Sequence, residues 1–226
     1  MGATTTDDAE GWMALDVDFE TNEHELQVRS SFGIPGLPAS WTLFLLGNGS
    51  PTHQLGLLTG YATVLYMVII ATYPQYVRSK TEVDVIDFSC INGSLDNAPV
   101  DIAEIREPRH RRQVWLRNAK GERLGYASSW WSSGDINSIF GQDRTFPIGS
   151  SIKDNKKELF RDMKSIFHGH SPALEAEFGH NGPFWGRWYL FRQGGKPLTL
   201  IYEVFSPGLC KYLGPIDAPL PRHHHA

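Results

Sequence analysis

A chain of 226 residues with 41% hydrophobic and 12% aromatic side chains has ample apolar surface for one packed core, which excludes disorder throughout. Its net charge of -4 gives no support for a nucleic-acid protein, whose phosphate contacts need a basic face, although local basic patches are compatible with it. Two cysteines, Cys90 and Cys210, are too few for a disulfide framework and lack zinc spacing; a reducing compartment, by default the cytoplasm, is expected.

Met1–Glu10 hold three acids and no base, unlike a secretory signal or transit peptide. Residues 1–38 read as an N-terminal extension, partly flexible. The chain is 20% charged, yet the 48 residues from Ser30 to Val77 contain no Asp, Glu, Lys or Arg. Within that run Trp41, Leu43, Phe44 and Leu46 predict a short helix stopped by Gly47, Asn48 and Gly49. Ser50 and Pro51 form an N-cap and first-turn pair for a second helix through Leu58. Leu55–Ala71 is 17 uncharged residues long, the lower limit for a helix crossing a hydrocarbon layer of about 30 Å. Its two glycines, two threonines, two tyrosines and β-branched Val64–Ile70 suit a buried strand at least as well, and no membrane contact is expected.

From Glu82 the pattern turns to strands. Val83, Val85 and, after a slip at Ile86, Phe88 and Cys90 alternate as in a half-buried strand. The runs RHRRQVWL and RLGYASSWW are joined at Asn118–Glu122, a hairpin pattern with Lys120 and Gly121 at the turn. Ile152, Leu159, Phe160, Met163, Ile166 and Phe167 recur at helical spacing and predict an amphipathic helix. FWGRWYLFRQ and PLTLIYEVF, joined by Gly194, Gly195 and Lys196, predict a closing hairpin. Strand hairpins with helices between them predict an α+β domain, an antiparallel β-sheet covered on one side by helices.

The chain has no dinucleotide, P-loop, nucleophile-elbow or zincin motif. His168 and His170 resemble a metal pair but lack an acidic or cysteine ligand at fixed spacing, and such histidines are also favoured near a helix end. Arg109, Arg111 and Arg112 could bind a carboxylate or phosphate; as strand-entry arginines they could equally pair with Glu104 and Glu107. Glu203 lies within TLIYEVF, where alternation places it with Thr199, Ile201 and Phe205 on one face. Either it is exposed at a sheet edge, or it is a buried carboxylate suited to a hydroxyl ligand.

The closing segment GPFWGRWYLFRQGGKPLTLIYEVFSP resembles that of chorismate lyases, with a Trp-Gly-Arg strand, a Gly-Lys-Pro-Leu turn and an acidic residue shortly before a proline. GSPTHQL, TEVDVID, the RRQVWLRNAKGERLGYASSWW hairpin and FPIGSSIKDNKKELFRD follow in matching order, most like the cyanobacterial and plastid branch. The resemblance covers residues 39–214, leaving 215–226 as a tail. It implies a cofactor-free, metal-free lyase that converts chorismate to 4-hydroxybenzoate and pyruvate for quinone synthesis, with the ligand buried under helical flaps. It further implies that Glu203 contacts the ring hydroxyl, that Ile148 contributes a backbone contact, and that Pro51 matches an early-helix backbone contact although it has no N–H. Aligning VDVID places Asp87 where the family has its carboxylate-binding arginine; either the register differs there, or another cation such as Arg112 or Arg187 binds the carboxylate, or the activity is lost or changed. The relatives' helix end and first strand nearly adjoin, so residues 61–80 read as an inserted apolar segment. A monomer in the cytoplasm, or in the plastid stroma of an alga, is expected. The alternative of another class is a catalytically silent binder of small aromatic acids.

Overall fold

The computed structural model describes residues 12–34, 36–59, 82–91, 98–118, 120–140 and 159–216; the inserted segment at 61–80 lies outside them. Among the described residues seven strands form one antiparallel sheet in the order β1-β5-β6-β7-β4-β3-β2. These are β1 (Asp16–Glu20), β2 (Glu82–Ile91), β3 (Arg109–Arg117), β4 (Arg123–Ser132), β5 (Phe160–His170), β6 (Phe184–Gln193) and β7 (Lys196–Phe205). The helices are α1 (Glu23–Phe32), α2 (Ala39–Leu46), α3 (Pro51–Leu58), α4 (Ser133–Phe140), α5 (Pro172–Phe178) and α6 (Cys210–Leu213), with short 3-10 turns at Val100–Glu104 and Pro207–Leu209. The α+β expectation of an antiparallel sheet flanked by helices holds.

Local chemistry explains the hairpins. Gly194 and Gly195 take φ of 55° and 78°, the left-handed pair that a two-residue turn needs to match strand twist. At the other hairpin Gly121 has φ 80°, and the Asn118 side-chain oxygen accepts from the amides of Lys120 and Glu122 at 2.9 and 3.0 Å. In Trp-Gly-Arg, Gly186 lies opposite Phe167; a Cβ there would collide with the Phe167 ring and stand 2.6 Å from the Glu203 carbonyl oxygen. The ring occupies the space that glycine leaves.

The slip at Ile86 is a β-bulge. Val85 pairs with Val114 and Asp87 with Gln113, leaving Ile86 unpaired and 45% exposed. Beyond the bulge each side chain of β2 changes face relative to a regular strand.

The helix expected through Phe160–Phe167 is not formed, because those residues are in β5. This strand lies between β1 and β6, and both of its faces are covered: Ile166 and Phe167 are each fully buried, on opposite sides. Two buried faces erase the alternation that marks a half-exposed strand, and what remains imitates helical spacing.

Nor are the covering elements confined to one side. One face carries Val114, Leu116, Ala127, Ile166, Trp185 and Phe205 against Trp41, Phe44, Leu45 and Leu55 of α2 and α3. The other carries Trp115, Tyr126, Trp130, Phe167, Trp188 and Tyr202 against Leu174 and Phe178 of α5, the 3-10 turn residue Ile102, and Trp12, Met13 and Leu15. α2 and α3 are short and would be marginal alone, so burial against the sheet holds them.

Candidate active site on one sheet face

Glu203 lies on the central strand β7 and is 2% exposed, so of the two expectations the buried carboxylate is correct. The register places it directly beside Arg187 of β6, which is fully buried. Arg187 Nε donates to Glu203 Oε2 at 2.8 Å, and the Tyr189 hydroxyl, one step along β6, donates to Oε1 at 2.9 Å. Burial, followed by the Glu203 charge, raises the Tyr189 pKa, so its phenol keeps the donating proton.

The same guanidinium reaches the covering layer. Arg187 Nη1 donates to the carbonyls of Phe44 at 3.0 Å and Leu45 at 2.6 Å, satisfying acceptors that the C-terminal end of α2 cannot use internally. Phe44, Tyr189 and Phe205 surround it, with ring centroids 5.5–5.9 Å from Cζ. Nη2 is buried without a hydrogen-bond partner among the described residues. Thus one cation joins a strand carboxylate to a helix end.

Arg112 occupies the same face. Arg112 pairs with Ser129, Ser129 with Ile201, and Glu203 is one alternation beyond Ile201 on β7. Two strand spacings and one two-residue step place the Arg112 and Glu203 Cα atoms about 12 Å apart, and both side chains occupy the covered side. Arg112 is 2% exposed, and burial lowers its pKa to about 10, so it remains a cation at neutral pH.

Asp87 does not enter this site. Its Oδ2 accepts from Ser89 Oγ at 2.9 Å and Gln113 Nε2 at 3.3 Å, on the opposite face with Arg111 and Tyr126. The bulge at Ile86 leaves Phe88 paired with Arg112 instead. Asp87 therefore faces away from Glu203, on the far side of the sheet.

Pro51 is buried at the first turn of α3, within the layer over this face, whereas Ile148 lies outside the described residues. Two contributors were missed in the sequence. Tyr189 is one alternation from Arg187 and could have been found by reading β6 as carefully as β7. Arg161 lay within the supposed helix; its Nη1 donates to the carbonyls of Gly47 and Gly49 at 3.1 and 3.0 Å, and its guanidinium lies 4.3 Å from the Tyr189 ring centroid. It fixes the α2–α3 connection from β5. His168 lies tilted against Trp185, with ring centroids 4.8 Å apart, and His170 lies 3.3 Å from Asp18, but no group of three or more His, Cys, Asp or Glu able to hold a metal occurs among the described residues. No helix among them is long and apolar enough to cross a membrane.

What converges on this face is a desolvated arginine, a carboxylate fixed by two donors, and a cover tied down by two further guanidinium contacts. Such a surface can orient a small anion with a hydroxyl group and exclude water from it.

Residues 74–213 match the family model described as "Chorismate pyruvate-lyase Rv2949c-like". The chain is 35% identical to the "Uncharacterized protein ycf21" of Cyanophora paradoxa, over 74% of this chain and 77% of the relative. It is 32% identical to that of Pyropia yezoensis, over 76% and 83%. Among solved structures it is similar to the possible transcriptional regulator YydK of Bacillus subtilis, with TM-score 0.46 and 14% identity over 57% of this chain and 58% of that one. The ligand-binding domain of a putative GntR-family regulator from Bordetella bronchiseptica gives TM-score 0.41 and 14% identity, over 56% and 85%. Likeness at that level brings neither ligand nor activity to this chain.

Proposed function

The chain belongs to the chorismate pyruvate-lyase Rv2949c-like family, and on that premise we propose that it eliminates pyruvate from chorismate to leave 4-hydroxybenzoate. The observation that carries this reading is the desolvated Arg112 and the buried Glu203 on one covered face, a cation and an acceptor spaced for the two ends of a ring acid.

Arg112 holds the ring carboxylate. Glu203, with one lone pair on each oxygen already used by Arg187 and Tyr189, accepts from the ring hydroxyl with those that remain. Arg187 acts chiefly as a positioning residue, since two of its nitrogens are committed and only Nη2 is left to meet substrate. Pro51 contributes a ring wall from α3 in place of an amide donor, and Ile148 would add a backbone contact.

In the reaction the ether C–O bond at the ring breaks, its electron pair leaving with the enolpyruvyl oxygen. The carbinol carbon releases its hydrogen as a proton, the ring becomes aromatic, and the enol regains a proton to become pyruvate. Aromatisation supplies the driving force, so the protein need only orient the dianion and keep water out. The product is a quinone-ring precursor, and we place its formation in the plastid stroma of an algal source or otherwise in the cytoplasm.

Incubation of the purified chain with chorismate is expected to yield 4-hydroxybenzoate and pyruvate in equal amounts, and Arg112→Met is expected to abolish both. Binding of 4-hydroxybenzoate without turnover would replace this reading with a silent aromatic-acid binder.

A further inference from the structure

Arg111 and Arg112 are consecutive on β3 and face opposite sides of the sheet, and both are buried, at 6% and 2% exposure. Arg112 belongs to the Glu203 face. Arg111 therefore places a second cation within the other, aromatic layer, a costly arrangement that the proposed lyase chemistry does not use.

Its surroundings leave it incompletely answered. Arg111 Nη2 approaches Asp87 Oδ2 only at 3.5 Å, and that oxygen already accepts from Ser89 and Gln113. Arg111 Nε is buried and has no hydrogen-bond partner among the described residues. Trp130, directly opposite Arg111 in the β3–β4 register and fully buried, has an indole N–H in the same condition. In a native interior roughly 90% or more of such groups are satisfied, and each one left unmade costs about 1–3 kcal/mol. Two unmet donors on residues paired across β3 and β4, one belonging to a guanidinium, are groups that a carboxylate can satisfy.

Aromatic rings surround them. Trp12 lies edge-on to Trp130 at 5.1 Å and to Tyr202 at 4.9 Å. The segment bearing it is tethered at alternate amides, Met13 N to the Tyr126 hydroxyl at 3.2 Å and Leu15 N to the Tyr202 hydroxyl at 3.1 Å. Burial pushes the Tyr126 pKa up to about 12, so that phenol stays neutral and does not compete for the cation.

We propose that this face carries a second binding site, for the carboxylate of a small aromatic acid, with Arg111 Nε–H and Trp130 Nε1–H as its donors and Trp12 and Tyr202 as aromatic walls. The site is independent of the lyase reading, because it shares no side chain with Arg112, Arg187 or Glu203.

Calorimetric titration of the full chain with sodium benzoate tests it, with folding of each variant checked by circular dichroism. Two binding events per chain are expected. Arg111→Met and Trp130→Phe should each weaken one event by about tenfold or more and spare the other. Arg112→Met should do the converse. If Arg112 is not the cation of the Glu203 face, the Arg112-dependent event disappears and the Arg111-dependent event remains; if that face binds without turnover, both events remain and only the chorismate assay fails. Benzoate binding that is absent, or unchanged by both Arg111→Met and Trp130→Phe, overturns the proposal, ordered water then being what meets these donors. Should Arg111→Met not fold, Trp130→Phe decides.

Discussion

The two sides of the sheet manage buried charge differently. Beneath α2 and α3, Arg187 and Glu203 meet at 2.8 Å, a tyrosine also donates to the carboxylate, and two helix carbonyls accept from the guanidinium, which leaves only its Nη2 unmet among the described residues. On the opposite side Arg111 meets a shared acid at 3.5 Å and leaves an N–H unmet. A closed ion pair holds a carboxylate in one orientation, whereas an open one retains capacity for a ligand. The same residue types thus give a tightly held pair on one face and a loosely held one on the other, the difference lying in how many acceptors the neighbouring elements supply.

Substitutions should separate the two arrangements most sharply where the pair is closed. Replacing Arg187 by Ala strands Glu203 in the core, and a loss of about 3–5 kcal/mol in urea-unfolding stability is expected. A smaller loss would mean that the Glu203 side is not the closed one. Gly186→Ala, which forces a methyl group against Phe167, is expected to cost about 1–3 kcal/mol by the same measurement. Tyr189→Phe removes one donor from Glu203 and should cost about 1 kcal/mol while lowering turnover of chorismate more than it raises KM. Asp87→Asn should leave the Arg112-dependent binding of 4-hydroxybenzoate unchanged, since Asp87 faces away from Arg112; an altered affinity of that event would contradict the register given by the bulge.

Titration provides a further contrast. Arg112 has a folded pKa of about 10, below its usual 12.5, so the folded chain loses that proton first. Its buried charge therefore costs stability below about pH 10, and that penalty fades as pH rises from about 10 towards 12.5. Benzoate needs the charged form, so affinity at the Arg112 site should be flat to about pH 9 and then fall towards about tenfold per unit above pH 10. A profile already falling at neutral pH would remove Arg112 as the cation.

Much of this was legible in the sequence. The β6–β7 hairpin follows from paired glycines between strand-like runs, and alternation alone placed Glu203 with Ile201 and Phe205. Even the slip at Ile86 was visible. Its consequence is not legible locally: face assignments beyond a bulge reverse, which turns Asp87 away from the Arg112 face and sets Phe88 beside Arg112. β5 was illegible for another reason: a strand buried on both sides loses the polar alternation by which it would be recognised, so Met163, Ile166 and Phe167 imitated a helix. Whether Glu203 was buried could not be decided locally, since that depends on β7 lying in the middle of the sheet, which only the long-range pairing establishes.

The bond between Arg187 and the end of α2 has a mechanical consequence. An eight-residue helix would fray quickly on its own. Here, lifting it would remove two carbonyl acceptors from a buried guanidinium that also holds the central strand's carboxylate. α2 and the β6–β7 hairpin should therefore open as one cooperative unit, and amide hydrogens near Phe44 and Leu45 should exchange with solvent as slowly as those of the sheet centre.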